Sequence, residues 1–166
     1  MKRTICLLAT ALMSLSTIAQ RTTDFAERFM QSCHDDSLVE CVTVSPKMME
    51  QIAQPDSTRS HNMQLALQKL KSARIITASD SLQLYYQRAE QLLKRYPKRF
   101  IHNRDYGNAL TYGSFYTRKT RSGKTVELIM LRADVENKQL VIVNLTGDID
   151  EEFVNALAAP FENDSE

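Results

Sequence analysis

Hydrophobic positions in the first half of the chain follow two different periodicities. Apolar residues spaced three and four apart predict a short helix from Asp24 to Ser32 and a long helix that Ser79 caps and Pro97 ends. Runs rich in β-branched residues predict strands at Val39–Val44 and Ala73–Ala78. Helices and strands therefore alternate through this part of the chain.

A second helix is predicted to begin at Ser45-Pro46, because serine is a favourable N-cap and proline suits the first helical position. Gln54–Asn62 lacks any periodicity and is predicted to be a loop. Met63–Leu70 is predicted to be a short helical or irregular segment.

The second half of the chain changes to alternation of apolar and polar residues. Antiparallel strands are predicted at Ala109–Arg118 and Thr125–Ala133, with a β-bulge at Gly113 where the phase of the alternation changes. Leu140–Val143 is apolar on both faces, which predicts a strand in the centre of the sheet.

The C-terminal signals complete the architecture. Asp148 and Glu151 form a capping box that predicts a last helix up to Pro160. The order of the elements predicts one α+β domain at residues 20–160, built as two layers from a mixed or mainly antiparallel five-stranded sheet with helices on one face. Residues 161–166 are expected to form a flexible acidic tail.

The first nineteen residues have the composition of an export signal. Lys2 and Arg3 precede an apolar run from Ile5 to Ile18, and small side chains surround a predicted cleavage site after Ala19. The run is shorter than the roughly 20 apolar residues that a membrane-spanning helix needs. Cleavage is therefore predicted to leave a protein without a transmembrane segment, exported to the periplasm or secreted.

Composition and charge are those of an ordinary globular domain, with 43% hydrophobic and 25% charged residues. The full chain carries a net charge of +1, whereas the 147 residues from Gln20 onward hold 19 basic and 20 acidic residues, which is −1. Ten basic residues and two acids lie between Gln87 and Lys124, and seven acids without a base lie between Asp148 and Glu166. Charge blocks separated in this way favour electrostatic partners.

The strongest surface signal is a group of cations around the end of the long helix, which we call the basic segment: Lys94, Arg95, Lys98, Arg99 and Arg104. Cations between aromatic residues can bind phosphates, but an exported protein rarely meets nucleic acid, so no nucleic-acid partner is expected. The expected partner is an anionic envelope component or an envelope protein. The alternative interpretation is a solvated helix end whose cations complement the helix dipole.

Two cysteines remain once the export signal is removed. In an oxidising compartment Cys33 and Cys41 either form a disulfide across the turn at residues 34–37 or remain two buried thiols. A small exported thiol enzyme or hydrolase that uses Cys33 or Cys41 is the alternative functional hypothesis. Assistance of Cys33 by His34 has little support, because adjacent residues in a helix or turn rarely face each other.

The sequence lacks motifs typical of catalysis or of cofactor binding. His34, His61 and His102 lie far apart, without an H-x-x-x-H or H-E-x-x-H pattern, so no metal site is expected. The G-x-S-x-G nucleophile motif and the glycine-rich phosphate-binding motifs are absent as well. With no catalytic residue and no cofactor predicted, the sequence favours a non-catalytic binding protein over an enzyme.

Two blocks of sequence resemble those of a known family. Val42–Met49 is a strand followed by a Ser-Pro-Lys-Met-Met helix start, and Leu140–Asp150 is a strand followed by Thr-Gly-Asp. Together they resemble a family of small exported proteins of Bacteroidetes-type bacteria, the domain of unknown function DUF4252, over roughly Asp24 to Leu157. The resemblance implies an envelope or secreted location and no established reaction. The Cys33 and Cys41 pair departs from the usual pattern of that family.

Overall fold

The computed structural model describes residues 23–34, 36–52 and 61–162 of the chain. Within these ranges the helices are α1 (Phe25–Ser32), α2 (Pro46–Ile52), α3 (His61–Gln68), α4 (Leu82–Arg95) and α5 (Glu151–Glu162). The strands are β1 (Val39–Val44), β2 (Leu70–Ala78), β3 (Ile101–Gly107), β4 (Thr111–Lys119), β5 (Thr125–Asp134) and β6 (Gln139–Ile149). The predicted export signal and residues 163–166 of the predicted tail lie outside the described residues.

The strands form one antiparallel sheet in the order β1-β2-β6-β5-β4-β3. The α+β class and the antiparallel arrangement are confirmed, and Leu140–Val143 lies in β6, between β2 and β5 as predicted for a central strand. The prediction of five strands is wrong by one, because β3 was not recognised. Among the described helices, none combines the length and the apolar character needed to cross a membrane.

Strand β3 escaped prediction because it is a polar edge strand. Its sequence, Ile-His-Asn-Arg-Asp-Tyr-Gly, has a single buried side chain, that of Tyr106. The pairing with β4 shifts between His102 and Arg104, so Asn103 is bulged and the alternation of faces is broken. Charged residues and a bulge are common on edge strands because they discourage further pairing.

Apolar side chains project from both faces of the sheet. On β5, Ile129 and Leu131 pack in a core beneath α1 and α4, whereas Leu128, on the other face of the strand, packs in a second core with α2, α3 and α5. The prediction of two layers with helices on one face is therefore wrong: the helices cover both faces and the domain has three layers. The reason is that the inner strands are apolar at successive positions, which is typical of strands buried on both sides.

Gly113 does not lie at a bulge, contrary to the prediction, because β4 pairs with β5 in unbroken register around it. The glycine instead makes room for the neighbouring edge strand. A Cβ at this position would collide with the Leu131 carbonyl oxygen and would lie 2.7 Å from the Tyr106 hydroxyl oxygen. The Tyr106 hydroxyl donates to that same carbonyl at 2.8 Å. The change of phase in the sequence therefore reflects the space that an aromatic ring requires.

The N-terminal ends of two helices differ from their predicted positions. Helix α4 begins one residue after Ser81, so Ser79 is not its cap. Helix α5 begins after Asp150, whose carboxylate accepts from the Phe153 backbone N–H at 2.8 Å. Asp148, the predicted cap, lies in β6 and pairs with Lys124 at 2.7 Å. Acidic residues on both sides of the strand end made the two capping positions hard to distinguish in sequence.

A buried polar network attaches α1 to the sheet. Glu127 on β5 is fully buried, and its carboxylate accepts from the Phe25 backbone N–H at 2.7 Å and from the Asn144 side-chain amide at 3.1 Å. Its second oxygen accepts from the Arg118 guanidinium. The Asn144 side-chain oxygen Oδ1 accepts from the Ala26 backbone N–H at 2.9 Å. Two backbone N–H groups that a helix leaves unpaired at its first turn are thus satisfied by β5 and β6.

Replacing Glu127 should destabilise the fold strongly. Glu127→Ala leaves the partly buried Arg118 and the buried Phe25 N–H without their acceptor, and we expect the free energy of unfolding to fall by about 3–5 kcal/mol. Glu127→Gln retains an acceptor and should lower the free energy of unfolding by less. Glu90→Ala, which removes an ion pair with Lys94 on the surface of α4, is the matched control and should cost about 0.5 kcal/mol. Urea unfolding measures all three, and equal losses for Glu127→Ala and Glu90→Ala would contradict the role of the network.

The cap of α5 should make stability depend on acid pH. The hydrogen bond from the Phe153 N–H, with a contribution from Lys69, lowers the pKa of Asp150. Stabilisation by this carboxylate is therefore complete above the ordinary carboxyl pKa of the unfolded chain, about 3.9, and is lost as the pH falls through the lowered folded value. Asp150→Ala should cost about 1 kcal/mol at pH 7, and its difference from the wild type should disappear in strong acid. A difference that stays constant down to pH 2 in thermal unfolding would exclude this contribution.

Candidate functional site

The basic segment divides into exposed and internal residues. Lys94, Arg95 and Lys98 are exposed at the C-terminal end of α4 and in the turn that follows it. Lys94 pairs with Glu90 at 3.0 Å, and this hydrogen bond raises the pKa of Lys94. Arg95 and Lys98 form no ion pair or hydrogen bond with any residue that the structure describes. These two cations are therefore available to an external partner.

The other two cations of the basic segment contact the protein itself. Arg99 is half-buried, lies over the Phe100 ring at 5.3 Å and donates to the Thr23 carbonyl oxygen. Burial, together with the nearby charges of two other arginines, lowers the pKa of Arg99. Arg104 lies on the opposite face of the sheet, where it donates to Asn155 of α5. The structure thus brings Lys94, Arg95 and Lys98 together and separates Arg99 and Arg104 from them.

A groove of about 530 Å³ lies beside the exposed cations, between the end of α4 and the β3–β4 edge of the sheet. It is lined by Glu90, Leu93, Lys94, Pro97, Phe100, Ile101, His102, Asp105 and Tyr116. Burial raises the pKa of Tyr116 above its ordinary value. Apolar walls with a few polar groups are the usual composition of a binding groove.

The sequence indicated only Lys94 among the polar residues of this groove. His102 Nε2 lies 2.8 Å from the Asp105 carboxylate, and the His102 ring contacts Tyr116 edge-on at 5.2 Å. Residues three apart on a strand normally point to opposite faces, but the bulge at Asn103 brings His102 and Asp105 to the same face. Because bulges leave no clear mark in a single sequence, the contact of His102 with Asp105 could not be predicted from it.

The histidine of the groove is hydrogen-bonded to a carboxylate. In the described part of the chain, no hydroxyl or thiol nucleophile is hydrogen-bonded to His102, whose partner is Asp105. Nucleophilic catalysis needs such a nucleophile within reach of a base. Among the described residues, no group of three His, Cys, Asp or Glu side chains is placed to hold a metal ion.

An apolar cavity of about 310 Å³ lies on the opposite face of the sheet, below α2, α3 and α5. Its lining is Val44, Met49, Leu67, Leu70, Ala73, Ile75, Leu128, Met130, Val143, Leu145, Phe153 and Leu157. The lining contains no charged side chain, so the cavity can contact only apolar groups. It is separated from the groove by the thickness of the sheet.

The two cysteines are free and lie in different environments. Cys33, at the C-terminal cap of α1, is only 4% exposed, and its sulfur accepts from the Arg88 guanidinium at 3.3 Å. Cys41 lies in β1 and is exposed. The disulfide is thus not formed. The alternative interpretation of two buried thiols holds for Cys33 and not for Cys41.

The chain has similarity to one protein family and weak similarity to solved structures. The family model described as Domain of unknown function (DUF4252) matches residues 32–157. A Pseudomonas aeruginosa protein of unknown function, PA94, has 10% identity and a TM-score of 0.35, over 74% of each chain. The Saccharomyces cerevisiae Ran-binding protein Mog1p has 10% identity and a TM-score of 0.33, over 64% of this chain and 62% of its own. No curated protein matches the sequence significantly.

The thiols should differ sharply in reactivity. Partial burial of the sulfur raises the pKa of Cys41 although the residue as a whole is exposed, so less thiolate is present at neutral pH than in a free thiol. Cys41 should therefore react with Ellman's reagent more slowly than glutathione and accelerate as the pH rises, while Cys33 should react only after unfolding. Cys33→Ser and Cys41→Ser assign the two phases. A thiol that reacts faster than glutathione at pH 7 would contradict this expectation.

Proposed function

The chain belongs to the domain-of-unknown-function family DUF4252, and on that premise we propose that it is an exported, non-catalytic binding protein of the bacterial envelope, in the periplasm or secreted. Its partner is an anionic envelope component or an acidic protein surface. The contact is made by the exposed end of α4, which presents Lys94, Arg95 and Lys98.

The single observation that carries this proposal is the pair of exposed cations at Arg95 and Lys98. Both extend from the same helix end, and the described residues include no acidic partner for either. Cations at a helix C-terminus are already favoured by the helix dipole, but two cations without a counter-ion also create a local positive potential. The adjoining groove adds the apolar wall of Pro97 and Ile101, against which a partner can pack.

The thiol enzyme remains the second candidate, and one contact favours it. The Arg88 guanidinium donates to the Cys33 sulfur at 3.3 Å, so a cation lies beside this thiol. Against this proposal, Cys33 is buried, and a nucleophile must be reached by its substrate. Binding at the end of α4 needs no such access and is the better supported function.

Reversing the exposed charges should weaken binding to anionic surfaces. The probe is a vesicle that contains anionic phospholipid, with a neutral vesicle for comparison. Each Lys or Arg near such a surface contributes about 1 kcal/mol, so Arg95→Glu with Lys98→Glu should lower partitioning by roughly tenfold or more. Wild-type binding should decrease as salt is added, because exposed charges are screened. Co-sedimentation measures both effects, and retention on isolated envelope fractions tests the acidic protein partner.

The matched control is Lys119→Glu with Arg121→Glu. It makes the same change in charge at two exposed residues, the last of β4 and one in the β4–β5 connection, and it should leave binding close to that of the wild type. If both double variants bind equally less, net charge is responsible and the α4 site is excluded. If the Arg95→Glu, Lys98→Glu double variant binds vesicles and envelope fractions as well as the wild type does, the proposed function is wrong.

A further inference from the structure

The two edges of the sheet differ in their protection against pairing. At the β3 edge, Asn103 is bulged and charged side chains are frequent. At the β1 edge, all six residues pair with β2 in unbroken register, and Glu40 is the one charged residue of the strand. A regular edge strand rich in β-branched residues is a template for a further strand. The β1 edge therefore has the character of an interaction surface.

The backbone groups of β1 that point away from the sheet can be identified. The Ser79 N–H donates to the Leu38 carbonyl at 3.1 Å, so even-numbered residues from Leu38 onward direct their backbone groups toward β2. The odd-numbered residues of β1 direct theirs outward. Val39 already donates its N–H to the Asp36 carbonyl at 3.1 Å. Cys41 and Thr43 are left with outward N–H and C=O groups, and no described strand lies on that side of β1.

We propose that β1 pairs with β1 of a second copy of this chain, antiparallel about a two-fold axis through Val42. Cys41 then lies opposite Thr43 of the second copy, and each of these two residues exchanges both of its backbone hydrogen bonds with the other. The two six-stranded sheets join into one continuous sheet. In the alternative register, with Cys41 opposite Cys41, Thr43 lies opposite Val39, and these pairs form only one of their two bonds because the Val39 N–H is already engaged.

A second copy fits this edge because the sequence of β1 is compatible with itself. A two-fold axis perpendicular to a sheet places residues of the same face opposite each other. In the proposed register Glu40 lies opposite Val44, and the two Glu40 residues are never paired, so like charges are kept apart. Val42, which is 57% exposed, contacts its own copy and loses water-exposed apolar surface. The contact is small, and a weak, concentration-dependent dimer is expected.

Two variants test the pairing by analytical ultracentrifugation of the purified protein. The wild type should double its apparent mass as its concentration rises. Thr43→Pro removes an outward N–H and leaves the ladder to β2 intact, as proline does on edge strands, so the dimer should be lost while the circular dichroism is unchanged. Val42→Lys should also abolish the dimer by placing like charges opposite each other. Leu110→Lys, at an apolar residue that is 62% exposed beside β4, is the matched control and should dimerise normally.

The register is tested by disulfide trapping. In a non-hydrogen-bonded antiparallel pair the Cα atoms are about 4.5 Å apart, which is within the range that a disulfide spans. Val42→Cys combined with Cys41→Ser should therefore give a covalent dimer on oxidation, whereas the wild-type Cys41 thiols, roughly 7–8 Å apart diagonally, should not. A wild type that is monomeric at all concentrations, or one that is trapped through Cys41, overturns the proposal. A wild type that stays monomeric and binds an extended peptide at β1 also overturns the proposal.

Discussion

The buried carboxylate of Glu127 is the constraint on which the rest of the fold depends. A charged group with no exposure must have its oxygens satisfied, and here the partners come from three different parts of the chain: the first turn of α1, Asn144 on β6 and Arg118 on β4. Because all must be present together, the network fixes where α1 crosses the sheet. Phe25 and Phe29, which belong to α1, are then buried in one of the two cores.

This constraint also decides which of the many basic residues remain available outside the protein. Arg118 is engaged by Glu127, and Arg74 pairs with Asp24 at 3.1 Å at the start of α1. Arg28 and Arg99 both donate to the Thr23 carbonyl just before it. Within the sequence block of positive charge, Arg99 and Arg118 are therefore used to hold α1 in place. Arg95 and Lys98, at the end of α4, are not engaged by the network and stay exposed.

Coverage of both sheet faces separates the surfaces that a partner can reach. The groove beside α4 combines aromatic walls with His102, Asp105 and Lys94, while the cavity on the other face is apolar throughout. The two lie across the sheet and do not form one site. The edge at β1 is a third, independent surface, because its free groups belong to the backbone and not to side chains. These three surfaces are therefore separate places at which a partner could be contacted.

The sequence by itself determined the α+β class, most helices and strands and the central position of Leu140–Val143, because periodicity and β-branched runs act locally. Two blocks of sequence also carried the resemblance to the family. It also located Lys94, Arg95 and Lys98. Only the tertiary structure decided that Arg99 and Arg104 are used internally, that β3 forms an edge and that His102 meets Asp105. Those outcomes depend on a bulge and on a buried carboxylate whose partners lie as far as 102 residues away in the chain. Local pattern carries no information about such contacts, since hydrogen-bond satisfaction in the interior is set by the whole fold.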